Sequence, residues 1–319
     1  MRPARHGTRS AACSVLAADG FKARVKRMKH YTMDITGADE LADFLLPAVL
    51  NAGRIEMRHF TTGVKIEQKA DKSPVTAADR EAEAIIVEAL GRAAPTIPVV
   101  AEEAAAAGLL PPPAKTFFLV DALDGTQGFI RGKPEFSVNI ALIRNSKPVF
   151  GMVYGPASGR LFVTKSDGKS YGAELSPDAD ESAIKSLRWS KLASRVPDRD
   201  QLVAFNSRSS GAVSSEFLEE LRVKEARPLG SSLKFCMIAN SEGDLYARFG
   251  NTYEWDTAAG QAILQAAGGT VATIDGTTLG YGKSQDNYLN PHFVAWGRSP
   301  LLTTSSTQGA KWVAPSKNL

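Results

Sequence analysis

Histidine and cysteine are scarce in this chain. The four histidines, His6, His30, His59 and His292, do not pair at ligand spacing. That argues against a zinc site of the His/Cys type. Of the two cysteines, Cys13 and Cys236, one lies in an atypical N-terminal segment. A disulfide framework is therefore not expected, and a reducing compartment is. There is no GxxxxGKS loop, which argues against an NTPase of that type. No apolar run approaches the length of a membrane span. The N-terminus lacks the apolar core of a secretory signal.

Charge is unevenly spread. The formal net charge is +4, but residues 1–30 hold eight Lys/Arg and a single acid, Asp19. That segment alone carries +7, so residues 31–319 carry −3. A mildly acidic body argues against a surface for a nucleic-acid polymer. Residues 1–32 read as a basic N-terminal extension without helical or strand periodicity. Three origins compete: a later true start at Met28 or Met33, a disordered tail, or a weak membrane-surface contact. The first two are favoured. Residues 299–319 are rich in Ser, Thr and Lys and are expected to fray. These signals place the chain in the cytoplasm, with a peripheral contact at the inner membrane as the variant reading. Monomer and homodimer both stay open.

At 319 residues and 43% hydrophobic, the chain can bury a large core. The pattern divides it into an α+β domain at 33–185 and an α/β domain at 186–298. Apolar spacing predicts a helix over Asp39–Phe60, kinked at Pro47, and another over Thr76–Leu90, stopped by Gly91. Strands are predicted at 97–101, 117–120, 136–143, 149–154 and 161–164. The alternation Phe136, Val138, Ile140, Leu142 suits a sheet packed on one face. Residues 165–186 read as an insertion or domain boundary, and Ala104–Ala107 with Pro111–Pro113 as a surface loop. In the second half, strands at 202–205, 245–249, 270–274 and 293–296 alternate with helices at 214–222, 232–240 and 255–267. This is an α/β rhythm.

Chemistry concentrates in short acidic runs. Asp121 ends the apolar strand Phe117–Val120, and Asp124 follows in Asp121-Ala-Leu-Asp-Gly-Thr126. A turn there can aim both carboxylates and the Leu123 carbonyl at one point, while Gly125-Thr126 opens a helical turn whose N–H groups attract phosphate. The competing reading is an ordinary Asp-Gly turn; an apolar strand leading into acids that need partners favours function. Glu102-Glu103 follows a strand end and alone reads as a solvated loop. Beside Asp121 and Asp124, Glu102 becomes a metal-ligand candidate and Glu103 a neighbour able to reach a second ion. Hard divalent cations such as Mg²⁺ take oxygen ligands of this kind.

Trp255-Asp256 opens an apolar helix, where an acid is normally a cap. Its Ala258-Ala259-Gly260 start is slim enough to approach another element or a ligand. Thr76-x-x-Asp79 resembles a capping box; the sharper reading makes Asp79 an acid that orients or deprotonates a water. Gly230-Ser-Ser-Leu-Lys234 sets a lysine in the first turn of a helix, suited to an anion. A Ser232 cap with a surface lysine reads equally well.

Glu102-Glu103, Asp121–Thr126 and Trp255-Asp-Thr-Ala-Ala-Gly260 together resemble the inositol monophosphatase superfamily of lithium-sensitive, Mg²⁺-dependent phosphatases. The resemblance covers roughly Asp39 to Gly297. Lys72–Asp79, Glu135–Leu142, Gly230–Cys236, Ala247–Gly250 and Tyr288–Pro291 look closest to its CysQ-type 3′(2′),5′-bisphosphate nucleotidase branch. The resemblance implies a layered αβαβα sandwich. It also implies removal of the 3′-phosphate from adenosine 3′,5′-bisphosphate, a by-product of sulfate assimilation, with the sulfated precursor as a further substrate. It implies two or three Mg²⁺ held by Glu102, Glu103, Asp121, the Leu123 carbonyl, Asp124 and Asp256. Gly125 and Thr126 would hold the scissile phosphate. Asp79 and Thr126 would position the attacking water, with Glu102 in the catalytic set. Ser232 and Lys234 would meet the nucleotide's other phosphate or ribose.

The chain departs from the pattern at Ala122, where the family has Pro, and at Gln127-Gly128-Phe129, which fits neither branch. Ser210 stands where the nucleotidase branch has His. The alternatives are an inositol or sugar monophosphatase, a binding protein that keeps the fold without turnover, and a basic N-terminus acting as a lipid-surface tether.

Overall fold

A computed structural model describes residues 37–63, 65–69, 73–208 and 211–300. The N-terminal extension, Lys72, Ser209, Ser210 and all but the first two residues of the C-terminal tail lie outside them. Helix α1 (Ala38–Thr62) is followed by a hairpin of β1 (Ile66–Gln68) and β2 (Pro74–Thr76). Next come α2 (Ala77–Ala93), β3 (Val99–Ala101), α3 (Glu102–Ala106), β4 (Thr116–Asp124) and α4 (Thr126–Ile130). A meander follows: β5 (Ser137–Arg144), β6 (Lys147–Gly155), β7 (Arg160–Thr164), β8 (Ser170–Glu174), the short α5 (Glu181–Lys185) and β9 (Ser190–Lys191). The remainder is β10 (Val203–Asn206), α6 (Ala212–Glu220), β11 (Glu225–Pro228), α7 (Leu233–Ala239), β12 (Leu245–Arg248), α8 (Ala258–Ala266), β13 (Thr270–Thr273) and β14 (Phe293–Trp296).

Seven strands form one sheet in the order β3-β4-β5-β6-β7-β8-β9, and five form another in the order β11-β10-β12-β14-β13. Alternation along β4 explains how these layers stack. Phe118 and Val120 join the core beneath α1 and α2. Phe117 and Leu119 point the other way, into a core shared with α7, α8 and the inner face of the five-stranded sheet. On the outer face of that second sheet, Ala204, Leu245 and Trp296 pack against Phe217 and Leu218 of α6. The layers therefore run helix, sheet, helix, sheet, helix, the αβαβα sandwich expected from the resemblance.

Several local expectations need correction. β5 is buried on both faces, not one, because α8 covers the side that carries Ala141 and Ile143. α2 runs past Gly91 to Ala93, since Ala93 is itself buried and helical packing outweighs the weak propensity of one glycine. Residues 165–186 are not all loop: β8 lies within them and extends the large sheet. Ala104–Ala106 belong to α3 rather than to a loop. Asp121 does not end its strand, because β4 continues to Asp124 through an irregularity in the pairing with β5. The predicted helix at 255–267 is split: Glu254–Asp256 form a 3₁₀ turn, and α8 starts after Thr257.

Candidate active site

Parallel pairing brings the first acids together. β3 and β4 run side by side with Ala101 opposite Val120, so the next residues, Glu102 just past the end of β3 and Asp121 within β4, come level with each other. Glu83 of α2 fixes the start of α3 by accepting the N–H groups of Glu103 (2.7 Å) and Ala104 (3.0 Å). The third acid arrives from the other half of the chain. Glu102, Asp121 and Asp256 each offer an oxygen within 4.8 Å of the others.

The electrostatics of this cluster are unfavourable to three anions. Burial, then Glu102, Asp124 and Asp256, push the Asp121 carboxyl well above the usual carboxylate range. Burial, then Asp124 and Glu102, do the same to Asp256. Burial also raises Asp124, against the pull of Lys234 and hydrogen bonds from Asn139 and Ser232. Such a set needs protons or cations to be tolerable. The all-oxygen donor chemistry fits a hard divalent ion, whose octahedral ligands at about 2.1 Å lie roughly 3 to 4 Å apart.

Around β4's end the chain turns sharply. Gly125 adopts φ +102°, and a Cβ there would meet the Glu135 carbonyl at 3.0 Å. Glycine is thus required twice over, by conformation and by space. The turn hands the chain to Thr126, whose hydroxyl donates to Asp79 Oδ1 at 2.8 Å. Asp79 Oδ2 accepts from the Thr76 N–H (2.8 Å) and hydroxyl (2.7 Å). The capping contact is therefore made by one Asp79 oxygen, while the other accepts from Thr126.

Ser232 stitches two acids together. Its N–H donates to Asp124 Oδ2 at 2.6 Å, and its hydroxyl donates to the Asp256 carbonyl. Lys234 is buried, donates to the Leu229 and Ser231 carbonyls, and lies 4.9 Å over the Tyr246 ring. Burial lowers its pKa to about 8, against the opposing effect of Asp124. It is no surface lysine. The slim start of α8 serves packing: a Cβ on Gly260 would lie 2.6 Å from the Phe235 ring.

Sequence reasoning missed Asn139, Arg248 and Lys69. Asn139 donates to Asp124 Oδ2 at 3.1 Å, and a lone amide in an apolar strand is the available signal. Arg248 donates to the Asn251 carbonyl at 2.7 Å, while its buried Nε has no hydrogen-bond partner among the described residues. Lys69 bridges Glu102 and Glu103 at 2.6 Å each. A cavity of about 430 Å³ joins the parts of the site, reaching from Glu102, Asp121 and Asp256 to Lys234, Tyr246 and Arg248.

The model of the inositol monophosphatase family matches residues 38–305. The chain belongs to that family. Membership makes it a phosphatase, a hydrolase of phosphoric monoesters. It is 38% identical over 245 residues to the 3′(2′),5′-bisphosphate nucleotidase CysQ of Shigella flexneri, covering 76% of this chain and 94% of that one. The CysQ of Escherichia coli strain K12 is 36% identical over the same shares. Among solved structures, CysQ from Bacteroides thetaiotaomicron matches with a TM-score of 0.66 and 31% identity, covering 82% of this chain and 98% of that one. An inositol monophosphatase from Anabaena has the same fold at 23% identity, with a TM-score of 0.62 and coverage of 82% and 92%. Among the described residues, no helix of this family member is long and apolar enough to cross a membrane.

Proposed function

We propose that the chain is a Mg²⁺-dependent 3′(2′),5′-bisphosphate nucleotidase that removes the 3′-phosphate of adenosine 3′,5′-bisphosphate, giving AMP and phosphate. The observation that carries this reading is the two-sided cavity: an acid cluster at one end, and Lys234, Tyr246 and Arg248 at the other. A substrate with one phosphate to lose and a second to be held suits both ends. The names of the relatives above point the same way.

In this reading Glu102, Asp121, the Leu123 carbonyl, Asp124 and Asp256 hold two or three Mg²⁺, with Glu103 beside them. When bound, such ions neutralise phosphoryl charge, make a water more acidic and shield the leaving alkoxide. The chain's own residues do the positioning. The Thr126 hydroxyl donates its hydrogen bond to Asp79, so its oxygen lone pairs are left to accept from the attacking water. Asp79 keeps that hydroxyl oriented because Thr76 holds its other oxygen. The water oxygen bonds to phosphorus as the bond to the ribose 3′-oxygen breaks, the water's proton passing toward the Thr126–Asp79 pair and the 3′-oxygen taking up a proton from solvent. The Gly125 and Thr126 backbone lies beside the transferred group.

Phosphate release from adenosine 3′,5′-bisphosphate, its sulfated form, inositol 1-phosphate and a sugar monophosphate, each with Mg²⁺ and with chelator, tests the reading. The bisphosphate is expected to be hydrolysed fastest, and only with Mg²⁺. Faster turnover of inositol 1-phosphate would transfer the chain to the monophosphatase branch.

A further inference from the structure

Lys69 stands in a place that the chemistry above leaves unused. It follows β1 directly, and its N–H donates to the Ser73 carbonyl at 2.9 Å, which closes the end of the β1–β2 hairpin. Its ammonium lies 2.6 Å from an oxygen of Glu102 and 2.6 Å from one of Glu103. The side chain is only 8% exposed. Glu102 is at the same time one of the three acids whose oxygens converge. A single carboxylate thus bonds to a fixed monocation and also belongs to the candidate ion position.

We propose that Lys69 is a built-in counter-cation that stabilises the acid cluster before metal arrives and competes with metal for Glu102. The inference rests on the metal-site reading above. Two physical effects drive the competition. The ammonium occupies a Glu102 oxygen that would otherwise be free to ligate, and its positive charge repels a dication across a short, poorly screened distance. In return, the ammonium offsets part of the repulsion among acids that carry no metal. The hairpin therefore trades stability without metal against affinity for metal.

The test is calorimetric titration of Mg²⁺ alone into the full chain and into Lys69→Met, Lys69→Gln and Lys69→Arg, with melting temperatures in chelator. Removing the charge is expected to tighten Mg²⁺ binding about tenfold while lowering the melting temperature in chelator. Lys69→Arg, which keeps the charge, is expected to stay near the parent in both. If the Met variant does not fold, the Gln variant carries the measurement. Unchanged or weaker Mg²⁺ binding in the charge-removing variants overturns the proposal, since a lysine that merely orients Glu102 would give that result. Failure of the parent chain to bind Mg²⁺ would instead remove the metal-site reading itself.

Discussion

The two ends of the cavity are built on opposite terms. At the acid end, burial with Glu102, Asp124 and Asp256 raises the Asp121 carboxyl, burial with Asp124 and Glu102 raises that of Asp256, and no basic side chain among the described residues pairs with either of them through a salt bridge. At the basic end, Lys234 is spread over two carbonyls and an aromatic face, and Arg248 holds one carbonyl with its Nε left over. The acid end stores repulsion that a cation relieves. The basic end is nearly satisfied and keeps modest donor capacity for a guest. The first is therefore suited to chemistry and the second to recognition.

The largest effect is expected from Asp121→Asn, which removes one charge from the acid end without changing its shape. Activity should fall about 10³-fold or more, while the melting temperature in chelator should rise, because a buried repulsion is gone. Circular dichroism and phosphate release check both halves. A variant with parental turnover would erase the distinction between the two ends.

Next comes Thr126→Val, which keeps volume and removes the hydroxyl that donates to Asp79 and that we propose accepts from the attacking water. A loss of about a hundredfold in kcat is expected, with Mg²⁺ affinity by calorimetry unchanged. A shift in Mg²⁺ affinity instead would assign Thr126 to the ion rather than to the water.

Arg248→Met sharpens the other end. It should lower kcat/KM on adenosine 3′,5′-bisphosphate by about 10- to 100-fold and leave a monophosphate ester within about threefold. Equal losses on both substrates would mean that Arg248 supports the whole cavity rather than the second phosphate.

The same contrast explains what is legible in the sequence. Asp121, Leu123, Asp124, Gly125 and Thr126 lie in one short run, so strand, turn and helix start can be read together. Glu102 needs only the parallel pairing of two adjacent strands. Lys69 meets Glu102 and Glu103 only through the fold, and nothing adjacent to it announces those partners; Arg248 bonds to Asn251 three residues on, but its place in the cavity depends on how distant segments meet. Ser232 shows the limit from the other side: its run reads equally as an anion site or as a helix cap, and neither reading foresees that its N–H goes to Asp124 and its hydroxyl to the Asp256 carbonyl. The layered fold is more legible than its edges, since apolar residues mark α1, α2 and β4–β7, whereas β8, β9 and β11 carry few apolar residues to show a pattern.

The smallest expected effect concerns pH. Asp121, Asp124 and Asp256 have folded pKa values above their unfolded ones, and burial raises Glu103 to about 7. Between the unfolded and folded values, the folded chain binds more protons than the unfolded chain. Its stability must therefore fall as pH rises through that window, roughly from 4.5 to 7 for Glu103. Bound Mg²⁺ takes over the role of those protons, so the acid end should lose this dependence when the ion is present. Melting temperatures from about pH 5 to about pH 8 should thus decline more steeply in chelator than in Mg²⁺, by roughly a few degrees across the range. The basic end predicts no such divergence, because Lys234 does not exchange its charge for a metal. Parallel profiles in the two buffers would mean that the acids are relieved by something other than a divalent ion.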